Sequence, residues 1–267
     1  AVAPDQDAVA GFVFDKVNCA VVETPTRKEE NPEILKLRAN KAYYFFGDLF
    51  LALGAGITNL APEYDDNIFT TVEQTLAKKP TVPVKRHGID WYGNNGFVYG
   101  VLPKATSGSI HRKNESRSTQ WRQLSKSNRN AVETQQSMFS LWIDHGREVK
   151  NGTDAFFVAC GGKVPEKLPS IFANTVQVQA MELGQTVQAV FYSAGAKVNT
   201  SFGELSVSAP CALVLQKNNG GIQVTAADGL MNRELRILTV TLGKQRFTLS
   251  LPDDKLLGRA ASASFKL

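Results

Sequence analysis

Cysteine and histidine are scarce in this chain, and neither is spaced for the chemistry it usually serves. Three cysteines, Cys19, Cys160 and Cys211, lie far apart among 267 residues, and none belongs to a CxxC pair. An odd, dispersed count excludes a disulfide scaffold and argues against zinc. The cysteines read as small buried apolar residues with at most one disulfide. The three histidines, His87, His111 and His145, have no spacing that suits a helical metal site. HExxH and the GxSxG elbow are both missing. Neither GxxxxGK[ST] nor GxGxxG stands in a strand–turn–helix setting, and "LGAGITN" reads as a turn. No cofactor and no metal is expected. Long apolar runs are missing too. A spanning helix needs ~20 consecutive apolar residues, and the richest stretch, "KAYYFFGDLFLALGAGI" from Lys41 to Ile57, is broken by Gly47 and Asp48. No membrane partner is expected.

What is present is an ordinary globular composition, 43% hydrophobic and 21% charged. That length allows one large all-β domain or two smaller ones. The formal net charge is +5, and much of the basic excess lies in "RKNESRSTQWRQLSKSNR", Arg112 to Arg129. Such a stretch reads as a solvated loop or edge strand. It lacks the aromatic platforms and recognition helix of a nucleic-acid binder, so no nucleic-acid partner is expected. The chain opens "AVAPDQDAVAGF", with neither an initiator methionine nor an apolar signal core, and reads as a processed or excised piece. Sequons at Asn114, Asn151 and Asn199 matter only in a eukaryotic secretory setting.

Gly47-Asp48 between two apolar runs reads as a two-residue hairpin joining Ala42–Phe46 to Leu49–Leu53. Both flanks are too continuously apolar to face water, so the hairpin is expected to be buried on both faces between stacked sheets. "TTVEQTLAKK" suits two turns of helix or a strand and loop equally, and "PEKLPSIFAN" suits a short helix. Elsewhere short strands alternate with turns, as in "DWYGNNGFVYGVL" around Asn94-Asn95-Gly96, "MFSLWIDHG", "DAFFVAC" and "CALVLQKNNGGIQVTAAD". That spacing indicates a sandwich or barrel class. No 20- to 50-residue period recurs. "CGGKVPEKLPS", residues 160–170, reads as a linker to a second, smaller sandwich.

No catalytic constellation emerges from the residues. Asp144 and His145 are neighbours on a strand and point to opposite faces, so His145 is read as a structural residue at a strand end. Glu63, Asp65 and Asp66 form an acidic loop without an EF-hand pattern, read as a turn. Trp91, Tyr92 and Trp121 are candidates for stacking on sugar rings, with core packing as the competing reading, while Trp142 between Leu141 and Ile143 reads as core.

"LKLRANKAYYFFGDLFLALGAGITN" followed by "IFTTVEQTL" resembles a signature of polysaccharide lyase family 8, the chondroitin and hyaluronan lyases. The matching residues are Lys41, Tyr43, Tyr44, Phe45, Leu53, Gly54, Ile57, Thr70, Thr71 and Gln74. "FSLWIDHGREVKNGTDAFFV" is similar to the family's Ile-Asp-His-Gly segment, with Val149 in place of a proline and Phe156–Phe157 where tyrosines are common. "LPDDKLLGRAASASFKL" is similar to the family's final strands.

The resemblance implies an all-β, antiparallel fold. Residues 1–165 would be the second half of a β supersandwich of galactose-mutarotase type, and residues 166–267 a small C-terminal β sandwich. It implies β-elimination beside a uronic acid, performed by residues on an N-terminal helical toroid and early in the β domain. None of those has a matching position here, so no catalytic residue is carried over. The implied role is structural, in an exported bacterial lyase, periplasmic or secreted. Its implied partners are an acidic polysaccharide, the toroid and the first half of the supersandwich. Arg112, Lys113 and Arg117 are the substrate-contact candidates. The competing reading is a non-catalytic carbohydrate-binding or scaffold module.

Overall fold

The computed structural model describes residues 1–3, 7–16, 22–24, 27–29, 37–63, 66–124, 132–218 and 220–266. The chain begins with β1 (Asp7–Lys16), β2 (Val22–Thr24), β3 (Arg27–Glu29), β4 (Leu37–Phe46), β5 (Leu49–Asn59) and β6 (Ile68–Leu76). Next come β7 (Val84–Arg86), β8 (Ile89–Asn94), β9 (Phe97–Val101), β10 (Ser109–Gln120), β11 (Glu133–Gly146) and β12 (Gly152–Ala159). After an irregular stretch follow β13 (Ser170–Asn174), β14 (Val178–Leu183), β15 (Thr186–Phe191), β16 (Lys197–Thr200) and β17 (Gly203–Val207). The last strands are β18 (Cys211–Asn218), β19 (Gly221–Ala227), β20 (Ile237–Leu242), β21 (Gln245–Ser250) and β22 (Ala261–Phe265).

Four sheets stack in layers. A seven-stranded sheet, β1-β4-β5-β12-β9-β8-β7, carries a three-stranded sheet, β10-β11-β6, on one face. Its other face packs on a six-stranded sheet, β13-β14-β15-β18-β19-β22, which in turn packs on β16-β17-β20-β21. In the two inner sheets, period-two alternation assigns a strand's residues to two different cores. On β5, Leu51 and Leu53 join Met181, Val190 and Val214 in one cluster, while Ala52 faces Phe139, Leu141 and Ile143 in another. On β15, Val190 turns to the seven-stranded sheet while Ala189 and Phe191 turn to the four-stranded one. Every paired strand in these sheets is antiparallel, as the short turns between them require.

The Gly47-Asp48 hairpin forms as the sequence indicates, with Phe46 paired to Leu49 and Gly47 at φ +56°. Burial on both faces holds for most of β5 but not for β4, where Phe45 is 41% exposed. "TTVEQTL" resolves to strand because β6 pairs with β11. "PEKLPSIFAN" contains no helix: its first half is irregular and its second half is β13. Trp142 is not core. Leu141 and Ile143 are fully buried, and alternation therefore puts Trp142 on the face of the sheet that, among the described residues, has no other sheet packed on it. Cys160 is exposed rather than buried, and Cys211 is buried; both are free thiols. Cys19 and Asp65 lie outside the described residues, and so does Arg129. No helix among the described residues is long and apolar enough to cross a membrane.

Candidate functional site

β4, β5 and β12 are lateral neighbours, and their register aligns Lys41, Gly54 and Asp154 in one row. All three positions face the three-stranded sheet. The central glycine leaves room for Lys41 to reach across to Asp154. A Cβ on Gly54 would fall onto Asp154 Oδ1 and within 2.6 Å of Lys41 Nζ. From the facing sheet, β6 contributes Thr70 and β11 contributes His145. Asp154 Oδ2 receives Lys41 Nζ in a charged hydrogen bond and the Thr70 hydroxyl at 2.6 Å. Lys41 Nζ also donates to Thr70 Oγ1 at 3.2 Å.

His145 closes the cluster. Its Nδ1 donates to the Ser107 carbonyl at 2.8 Å, and its Nε2 lies 3.0 Å from Thr70 Oγ1 and 3.6 Å from Asp154 Oδ2. Because the single Thr70 proton goes to the carboxylate, the Nε2 contact is a hydrogen bond when Nε2 also carries a proton. The side chains of His145 and Asp154 are both 0% exposed, and that of Lys41 is 17% exposed. Burial alone would raise the Asp154 pKa. The adjacent His145 imidazole, hydrogen bonds from Lys41 and Thr70, and the Lys41 charge outweigh it and hold the carboxyl below its usual value. Tyr43, beside the cluster, is pushed up by burial and by the Asp154 charge.

The arrangement ties two sheets together. A general base must come within hydrogen-bond reach of the proton it removes, and here the imidazole and the carboxylate are both sealed between sheets. The sequence marked Lys41, Thr70 and His145 separately, and their convergence on Asp154 was missed. The available signal was a lone Lys and a lone Asp inside the apolar strands "KAYYFF" and "DAFFVA", since a charge so placed needs a partner.

A polar seam wires the six-stranded sheet to the back of this row. Asn174 Nδ2 donates to the carbonyls of Gly54 at 3.0 Å and Asp154 at 3.2 Å. The Tyr192 hydroxyl lies 2.9 Å from the Lys41 carbonyl and 2.7 Å from Gln179 Oε1, two acceptors sharing one proton. Gln188 Nε2 donates to the Phe45 carbonyl at 2.7 Å. The Gly54 and Asp154 carbonyls lie next to a bulge where Gly56, at φ +66°, adds a residue to β5 against both of its neighbours.

The basic candidates sit elsewhere, on β10, which is an edge strand rather than a loop as far as Gln120. They do not form one cluster. Arg112 points to the inner side, its guanidinium 5.5 Å from the centre of the Tyr92 ring. Lys113 and Arg117 lie on the other face and both pair with Glu115. Trp91 is core, at 1% exposed. Among the described residues no group of three or more His, Cys, Asp or Glu side chains is placed to hold a metal ion.

Comparison with known proteins matches both halves of the chain. The super-sandwich domain model of polysaccharide lyase family 8 matches residues 2–166, and the family's C-terminal beta-sandwich domain model matches residues 170–235. A chondroitinase-AC of Pedobacter heparinus is 30% identical over 247 residues, covering 83% of this chain and 34% of that protein. A solved chondroitinase AC lyase, described from enzyme–oligosaccharide complexes, superposes with a TM-score of 0.73 at 27% identity, over 85% of this chain and 36% of that one. A Paenibacillus xanthan lyase shares the fold at a TM-score of 0.75 and 14% identity, over 98% of this chain and 28% of that one. The chain thus spans about a third of the length of these relatives. With the super-sandwich match alone covering more than half of its residues, the chain belongs to polysaccharide lyase family 8.

Proposed function

We propose that this chain is the C-terminal β portion of an exported lyase that cleaves uronic-acid-containing glycosaminoglycans of the chondroitin or hyaluronan type by β-elimination. In that reaction a base takes the proton beside the uronate carboxyl, and donors stabilise the charge that develops. This segment contributes a wall of the cleft and no reacting group. Its boundary falls between residues 165 and 166, and it docks against a helical toroid and the first half of the supersandwich in a periplasmic or secreted protein. Arg112, Lys113 and Arg117 make screened contacts to the acidic polymer, each worth about 0–1 kcal/mol.

The observation that carries this reading is the 30% identity to a chondroitinase-AC across 83% of the chain. The burial of His145 and Asp154 supports the non-catalytic part. The test is the gene product that extends upstream of Ala1. Mixed with chondroitin sulfate or hyaluronan, it releases unsaturated uronate, seen as a rise in ultraviolet absorbance. A longer product that folds and leaves both polymers intact overturns the reading.

A further inference from the structure

The outward face of the three-stranded sheet is organised in a way the cluster behind it does not explain. Two adjacent cross-strand rows occupy it, Thr71–Trp142–His111 and Gln74–Ser140–Lys113. Trp142 and His111 stack with ring centres 5.3 Å apart and planes 14° apart. Thr71, Gln74, His111 and Lys113 are exposed. At the centre, Ser140 is 5% exposed, and its hydroxyl has no hydrogen-bond partner among the described residues. A buried, unpaired hydroxyl costs free energy, and native structures rarely leave one without a reason.

We infer that this face is a non-catalytic saccharide platform, with a pyranose ring of the polysaccharide stacked on Trp142 and its hydroxyls met by Thr71, Gln74 and Ser140. An indole offers a flat apolar surface to the C–H face of a sugar, and the flanking amide and hydroxyls match the sugar's polar rim. A sugar hydroxyl that moves the exposed Gln74 or Lys113 side chain aside supplies the partner Ser140 lacks. Recognition here is not by net charge. Lys113 and Arg117 are shared with Glu115, and Asp144 on the same face is held by Asn67 at 3.1 Å and by the Gly146 amide at 2.8 Å. The choice of a polysaccharide as ligand rests on the proposed lyase reading, whereas the platform itself rests on the face.

Salt separates this platform from the cation contacts proposed above. Chondroitin sulfate oligosaccharides are titrated into the 267-residue chain and followed by tryptophan fluorescence and calorimetry. The titrations are run at low salt and in about 1 M salt, where the screening length is about 3 Å. The platform predicts binding that persists at high salt and weakens roughly tenfold or more in Trp142→Thr, a change that keeps a β-compatible residue. Gln74→Ala, on the exposed surface, weakens it by a smaller factor at an unchanged melting temperature. Arg112→Ala/Lys113→Ala/Arg117→Ala weakens binding at low salt by a larger factor than in 1 M salt. Wild-type affinity in folded Trp142→Thr, or binding that disappears in 1 M salt, overturns the inference. A longer gene product that cleaves no polymer, beside a chain that binds as described, overturns the lyase reading alone.

Discussion

Asp154 is a residue whose surroundings decide its chemistry. Its carboxylate is fully buried, and the adjacent His145, the Lys41 ammonium and the Thr70 hydroxyl hold its pKa below the usual value. Removing one member of a buried ion pair leaves the other charge uncompensated, so Asp154→Asn should destabilise the chain by about 3–5 kcal/mol in chemical denaturation. The sign of the pH effect follows from linkage. A carboxyl with a lowered folded pKa contributes fully above its unfolded value of about 3.9, and the contribution fades as pH falls through the folded value. Stability of the wild type should therefore drop more steeply below about pH 4 than that of Asp154→Asn, and parallel acid limbs would contradict this. At this scale the sequence was partly legible. Lys41 and Thr70 stand in the family-like segment, whereas Trp142, expected in the core, faces outward. A tryptophan between two aliphatic residues looks the same on a one-faced sheet as in a core, and only knowing which sheet covers which face separates the two.

Among the elements, local signals were legible and long-range pairings were not. Gly47-Asp48 and Asn95-Gly96 carry their turns in the sequence, and both hairpins formed. The pairing of β5 with β12, about a hundred residues later, leaves no local trace, and neither does the bulge at Gly56 that both neighbours share. β6 became a strand because β11 supplied its ladder, where local propensity alone allowed either state. The seam between the seven- and six-stranded sheets depends on Asn174, which caps two carbonyls beside that bulge. Asn174→Ala strands both and should cost roughly 1–3 kcal/mol of stability. Thermal or denaturant unfolding measures it, and a change below about 0.5 kcal/mol, as for an ordinary surface site, would show that the seam is incidental.

Over the whole molecule, the four layers make the two sandwiches share a core, since β4, β5 and β12 bury their apolar side chains against β14, β15 and β18. The cluster of Lys41, Thr70, His145 and Asp154 lies inside that stack and ties the three-stranded sheet to the seven-stranded one. The central claim of the proposed function is that this chain supports a lyase without performing its chemistry. The most direct measurement mixes the purified 267-residue chain with chondroitin sulfate or hyaluronan and follows the ultraviolet absorbance of unsaturated uronate. The account predicts no increase, for the wild type and for His145→Ala alike. Clear turnover by the wild-type chain, abolished in a folded His145→Ala variant, would contradict it.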